Sequence, residues 1–166
     1  MKHIGKIFLS FIIVTCVMSC HKNEEDYYYN LDTALLLRLI NEQRTTGCKC
    51  GDTDMPPAPI LKWNNLLAKA AYHHSVDMAT RKYFSHTSLD GRSAGDRIKA
   101  IGYQYTTFGE NIAKGYSDEQ SVIKGWLQSS EHCANIMSNS YTEIGAGREA
   151  NYWTMTLAHT VPNEGK

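Results

Sequence analysis

Apolar residues recur at helical spacing over the first two thirds of the chain and alternate at strand spacing near its end. From Leu31 to Arg44 they fall at positions 31, 34, 35 and 39, with Asp32 and Thr33 placed to cap a helix and Gly47 placed to stop it. The stretch Cys48–Pro59 (CKCGDTDMPPAP) is punctuated by glycine and proline and reads as a loop without a regular element. Leu61-Lys62-Trp63-Asn64 opens a second helix with Asn64 as its N-cap, and a stripe at 67, 68, 71, 72, 75 (a small serine), 78 and 79 carries it to Arg81. Arg92 to Ile101 reads as a short helix closed by Gly102. Tyr103 to Thr107 is aromatic and β-branched, and Gly109-Glu110-Asn111 reads as a turn. Ser117 with Gln120 three residues on has the form of a capping box, opening a helix through Val122, Ile123, Trp126 and Leu127. A further helical turn carries His132 to Met137. Tyr141–Ala146 and Tyr152–His159 then alternate as strands of an antiparallel sheet. Helices first and strands late predict an α+β layered domain.

The N-terminus changes the picture from a domain to a domain with an address. Lys2 and Lys6 precede an apolar run from Ile7 to Met18, too short for an ordinary membrane span and laid out as a secretory signal. The run ends in Val17-Met18-Ser19-Cys20, which resembles a bacterial lipobox, with Cys20 as the lipid attachment point. A plain secreted chain with an incidental cysteine is the alternative. The polar, acidic HKNEEDYYYN that follows reads as a flexible tether. A lysine followed by acidic residues there resembles the surface-export signal of Bacteroidetes lipoproteins, and a merely solvated tether has the same composition. The expected organisation is a signal peptide at 1–19, a lipidated tether at 20–30 and one domain at 31–162. The address is an extracytoplasmic one, held by lipid to a bacterial membrane, the outer membrane being the expected one.

About 130 residues remain after the tether, enough for a single core and not two. Without Lys2 and Lys6 the chain has 15 basic residues against 17 acidic. No basic patch or aromatic–basic interleaving argues for nucleic acid. His73 and Asp77, with His74 beside them, have the i,i+4 spacing of a two-point metal site, which a histidine on a helix face also satisfies.

Eight short segments, in order, resemble the CAP superfamily (cysteine-rich secretory, antigen 5, pathogenesis-related 1) in its bacterial SCP-like form. They are Leu61-Lys62-Trp63-Asn64, Tyr83-Phe84-Ser85-His86, Asp90-Gly91-Arg92, Gly109-Glu110-Asn111-Ile112-Ala113, Trp126-Leu127-Gln128-Ser129, His132-Cys133-Ala134-Asn135-Ile136-Met137, Gly145-Ala146-Gly147 and Tyr152-Trp153. The resemblance implies a three-layer α-β-α sandwich with a small antiparallel sheet, the CAP fold. It implies a cleft in which His86 and His132 take the positions of the family's two histidines and Glu110 that of its first glutamate. The second glutamate falls at Ser129, with Glu131 close but out of position, so the family's tetrad is incomplete. It also implies a disulfide between Cys50 and Cys133, leaving Cys48 free or exchanging with Cys50.

In such a cleft two neutral imidazoles could hold a divalent cation such as zinc, with none required, and Glu110 could orient a ring or accept a proton. Equally, Glu110 could tie the histidines together without turnover. A nucleophilic reading through Ser129 or Ser130 with His132 and Glu110 lacks a Gly-x-Ser-x-Gly elbow. Cys133 as nucleophile is disfavoured because an oxidising compartment favours pairing. Three readings follow. The leading one is an envelope lipoprotein whose cleft binds a small molecule, a cation or an envelope component. The others are a metal-assisted hydrolase of peptide or cell-wall material, with His86, Glu110 and His132 as its catalytic candidates, and a host-facing interaction module.

Overall fold

The computed structural model describes residues 29–161; the signal-peptide reading and Cys20 lie outside them. Five helices and six strands are arranged in chain order as α1 (Thr33–Thr46), β1 (Cys48–Cys50), β2 (Thr53–Met55), β3 (Lys62–Trp63), α2 (Asn65–Arg81), α3 (Ala94–Ala100), β4 (Tyr105–Lys114), α4 (Glu119–Gln128), α5 (Ser130–Met137), β5 (Glu143–Glu149) and β6 (Tyr152–Thr160). Tyr29 and Asn30, at the end of the stretch read as tether, belong to the described body. Tyr29 is buried, its ring beside Trp63 and Tyr72 and its hydroxyl donating to the Asn65 carbonyl.

The long helices start where their caps put them. Asp32 accepts the Leu35 amide at 2.8 Å, and Asn64 accepts the amides of Leu66 and Leu67, satisfying donors that have no partner within the helix. Three local readings are corrected. Cys48–Met55 is a hairpin, not an irregular loop, because Gly51 takes a left-handed conformation at φ +60° in a two-residue turn and the prolines fall outside the paired strands. The fourth helix is capped by Asp118, one residue later than Ser117, in a reciprocal box with Ser121. Gly109-Glu110-Asn111 is not a turn but the middle of β4, paired with β6 from Leu157 to Met155.

The main sheet has the order β3-β5-β6-β4. Its long pairs are antiparallel as expected, while the two-residue β3 runs parallel to β5. Strand alternation sorts β6 between two helical layers. Trp153, Met155 and Leu157 join Leu36, Ile40, Val122, Trp126 and Ile136 in the core under α1, α4 and α5. Tyr152 and Ala158 pack instead with Met78, Leu67, Ala70 and Ile98 under α2 and α3. This is the α-β-α sandwich.

The approach of α2 to the sheet depends on two glycines of β5. A Cβ at Gly145 would stand 2.0 Å from the Ala68 amide nitrogen, and one at Gly147 would stand 2.4 Å from the Tyr72 Cα. Both obstacles are helix backbone, which cannot rotate away. Gly147→Ala should therefore force α2 off the sheet and cost roughly 3 kcal/mol, read as a lower urea midpoint; an unchanged midpoint would show that α2 has slack there.

Candidate functional site

β4 is an edge strand, and alternation along it sends Glu110 and Asn111 to opposite faces. Glu110 turns toward α3 and the loop after α2, with only 5% of its side chain exposed. A carboxylate so far from water must have charge-bearing or hydrogen-bonding partners, and each of its oxygens has one. Oε2 accepts from Arg97 Nη2 at 2.5 Å, and Oε1 lies 2.8 Å from His86 Nδ1. Arg97 is itself buried, and its Nη1 donates to the carbonyls of His86 and Arg92 and to Ser88 Oγ. Thus one guanidinium joins α3, the loop carrying His86 and the edge strand.

The contact from His86 to Glu110 fixes a tautomer. An ionised carboxylate only accepts, so in the neutral ring Nδ1 carries the proton and Nε2 keeps its lone pair. The His86 side chain is 54% exposed, so that lone pair belongs to a solvent-facing ring on a rigid stem.

Asn111, on the other face, donates to the His132 carbonyl at 3.0 Å and accepts from Asn135 Nδ2 at 2.9 Å. These bonds seat α5 against β4 and bring His132 to the same edge from the opposite helical layer. Burial lowers the His132 pKa from its ordinary value; the proximity of His86 lowers it further, and Glu131 opposes both. At neutral pH His132 is a neutral imidazole. Ser129, at the family's second-glutamate position, is the N-cap of α5 without a side-chain cap bond and supplies no carboxylate.

The expected trio therefore gathers at one edge, but not as three free ligands. Among the described residues, three metal-ligating atoms lie within 4.8 Å of one another at Cys48, Cys50 and Cys133, not at His86, Glu110 and His132. The i,i+4 pair His73/Asp77 on α2 gains no third ligand of that kind among the described residues. Asp77 accepts the Tyr83 hydroxyl and pairs with Arg81 at 3.2 Å. His74 is buried, with Nε2 2.9 Å from the Ser85 carbonyl, which ties α2 to the His86 loop. Its burial lowers its pKa, with Glu110 opposing.

Sequence reading assigned Arg97, Asn111 and Asn135 no role of their own, and His74 stood only beside the His73/Asp77 pair. Arg97 follows the Asp90-Gly91-Arg92 segment on a short helix, where an arginine reads as solvated. The one available signal was its position one residue before the buried Ile98.

The cysteines pair as the resemblance implied. Cys50 and Cys133 form a disulfide with Cα atoms 5.3 Å apart, across 83 residues of sequence, and Cys48 is free.

Removing one partner of the buried pair leaves the other charge stranded. Arg97→Ala should destabilise the domain by about 3–5 kcal/mol. The double variant Arg97→Met/Glu110→Gln, which removes both charges, should lose clearly less. Equal losses in urea melts would mean that packing, and not the ion pair, holds this corner.

Residues 37–155 match the family described as CAP, the cysteine-rich secretory protein family. Two Bacillus subtilis proteins are similar to the chain: the uncharacterized membrane protein YlbC, 36% identical over 97 residues, and the uncharacterized protein YkwD, 38% identical over 96 residues. These segments cover 58% and 57% of this chain but only 28% and 37% of the relatives' lengths. Among solved structures, an extracellular SCP-domain protein of Bacillus anthracis superposes with a TM-score of 0.69 at 29% identity, covering 76% of this chain and 40% of that one. An outer surface protein of Borrelia burgdorferi shares the fold at a TM-score of 0.66 and 19% identity, covering 77% of this chain and 92% of that one. The layered sheet, the match over most of the described body and the SCP-domain structure at 29% identity agree: the chain belongs to the cysteine-rich secretory protein (CAP) family.

Proposed function

We propose that this CAP domain is a binding module, taking a divalent cation or a small ligand held through one at His86 and His132, on the outer side of a bacterial membrane. The observation that carries this reading is the engagement of both Glu110 oxygens. A general base must be free to take a proton. Glu110 instead accepts from Arg97 and His86, and its place is behind the imidazole as an orienting group. A histidine whose far nitrogen is held by a carboxylate has the form of a metal ligand with its supporting partner. His132, kept neutral by burial, suits the same task. Two protein ligands leave the remaining positions of a zinc ion open to water or a ligand oxygen, so binding would be exchangeable.

The location rests on other grounds. The leader has the layout of a secretory signal ending in Cys20, and the B. anthracis relative is described as extracellular. A disulfide within the domain suits an oxidising compartment. Among the described residues no helix is long and apolar enough to cross a membrane; attachment through a lipid on Cys20 rests on the lipobox resemblance of Val17-Met18-Ser19-Cys20.

Zinc titrated calorimetrically into the oxidised domain should bind wild type and fail to bind His86→Ala/His132→Ala. Affinity should hold above about pH 6.5 and fall below it, because a protonated imidazole cannot ligate. The lowered His132 pKa delays its own loss toward more acidic pH. Equal affinity in the two proteins would refute the site.

For the address, Cys20→Ser should abolish partition of the mature protein into detergent and leave the leader uncleaved. Unchanged processing and extraction would instead make Cys20 an incidental cysteine.

A further inference from the structure

The disulfide has a third sulfur beside it. Cys48 Sγ stands 3.6 Å from Cys133 Sγ and 4.0 Å from Cys50 Sγ. The cluster is built by the fold and not by chance proximity of loops. Cys48 and Cys50 are two apart on β1 and so project from one face of the strand. Cys133 meets them from α5. A structural cross-link needs only two cysteines, and Cys48 adds nothing to it.

The spacing of the three sulfurs is that of a metal clip. Thiolates bound tetrahedrally to zinc at about 2.3 Å stand about 3.8 Å apart. Two edges of the triangle, 3.6 and 4.0 Å, already bracket that value. The third edge is the Cys50–Cys133 bond, and breaking it frees those sulfurs to separate. An open depression of about 500 Å³, lined by Gly47, Cys48, Asp54 and Met55, gives an entry path at Cys48.

We propose that Cys48, Cys50 and Cys133 form a redox-gated site for a soft or borderline metal ion, zinc(II) or a thiophilic relative. Oxidised, the cluster is a disulfide with a free thiol; reduced, it is a three-thiolate metal site. A dithiol reductant supplies two electrons and two protons, the Cys50–Cys133 bond breaks, and the dithiol closes to its own disulfide. A metal dication then replaces the thiol protons of Cys48, Cys50 and Cys133, releasing three protons to solvent. Water takes the fourth position. In both states β1 and α5 remain joined, by a covalent bond or by the ion. The site shares no ligand with the histidine edge.

The test uses the purified domain, oxidised or reduced anaerobically with a water-soluble phosphine, and cobalt(II) as a spectroscopic probe displaced by zinc(II). Reduced wild type should take up one cobalt per chain with a sulfur-to-cobalt charge-transfer band, and the oxidised protein should show none. Cys48→Ser keeps the disulfide and hence the oxidised fold. After reduction it should bind at least about tenfold more weakly. Zinc should raise the melting temperature of reduced wild type clearly more than that of reduced Cys48→Ser, and where reduction alone unfolds the domain it should refold wild type at concentrations that leave Cys48→Ser unfolded. The histidine double variant should retain the cobalt band, which separates this site from the one proposed above. No charge-transfer band in reduced wild type, or matching affinity and melting shift in wild type and Cys48→Ser, overturns the proposal.

Discussion

Glu110 is a carboxylate with almost no water, and the edge of the sheet is organised around satisfying it. Arg97 neutralises it and His86 takes its other oxygen. Because the same guanidinium holds the carbonyls of His86 and Arg92, the loop between α2 and α3 folds back onto α3. Desolvating an ion pair costs several kcal/mol per ion unless its hydrogen bonds are complete. Here both carboxylate oxygens are used, and Arg97 makes four bonds. The result is a solvent-facing imidazole mounted on a buried, nearly saturated network, so the outer nitrogen of His86 has a defined direction.

The second histidine reaches the same edge by a separate route. Alternation along β4 puts Asn111 on the face opposite Glu110, and its side chain joins the His132 carbonyl to Asn135. An edge strand leaves unpaired backbone that must be covered or guarded. Here the polar residues on both faces of β4 anchor covering elements, α3 with its loop on one side and α5 on the other. Two imidazoles from different layers thereby converge on one rim without any direct sequence neighbourhood.

What the sequence made legible was local. Asp32 and Asn64 sit one residue before their helices, and a cap is a short-range hydrogen bond that any reader of the chain can place. The alternation of Tyr152–His159 was equally plain, since one residue in two must face each layer. Glu110 was misjudged as part of a turn because Gly109 and Asn111 are turn formers. Both are there for packing: a Cβ at Gly109 would meet the Tyr141 hydroxyl at 2.6 Å, and Asn111 is needed for its amide. Gly51-Asp52 between Cys48–Cys50 and Thr53–Met55 was a hairpin signal hidden by the prolines after it. Arg97 left almost no trace in the sequence. Its partners lie 5, 9, 11 and 13 residues away, at spacings that no helical or strand period marks.

The helix α5 shows how stability and site are coupled. Eight residues are too few to hold helical structure alone, so its position comes from what grips it. Cys133 ties it to β1, and Asn111 ties its first turns to β4. At its far end buried Arg44 donates to the carbonyls of Ile136 and Ser138, placing a cation where the helix dipole is negative. Arg44 has no carboxylate among its hydrogen-bond partners, and burial lowers its pKa accordingly. It is kept charged by carbonyl oxygens, including Pro59 at 2.7 Å. His132 precedes Cys133 directly, so its ring direction is set by the same three grips. A change at the sulfur cluster that let β1 move would therefore be transmitted through one peptide bond to an imidazole of the candidate site.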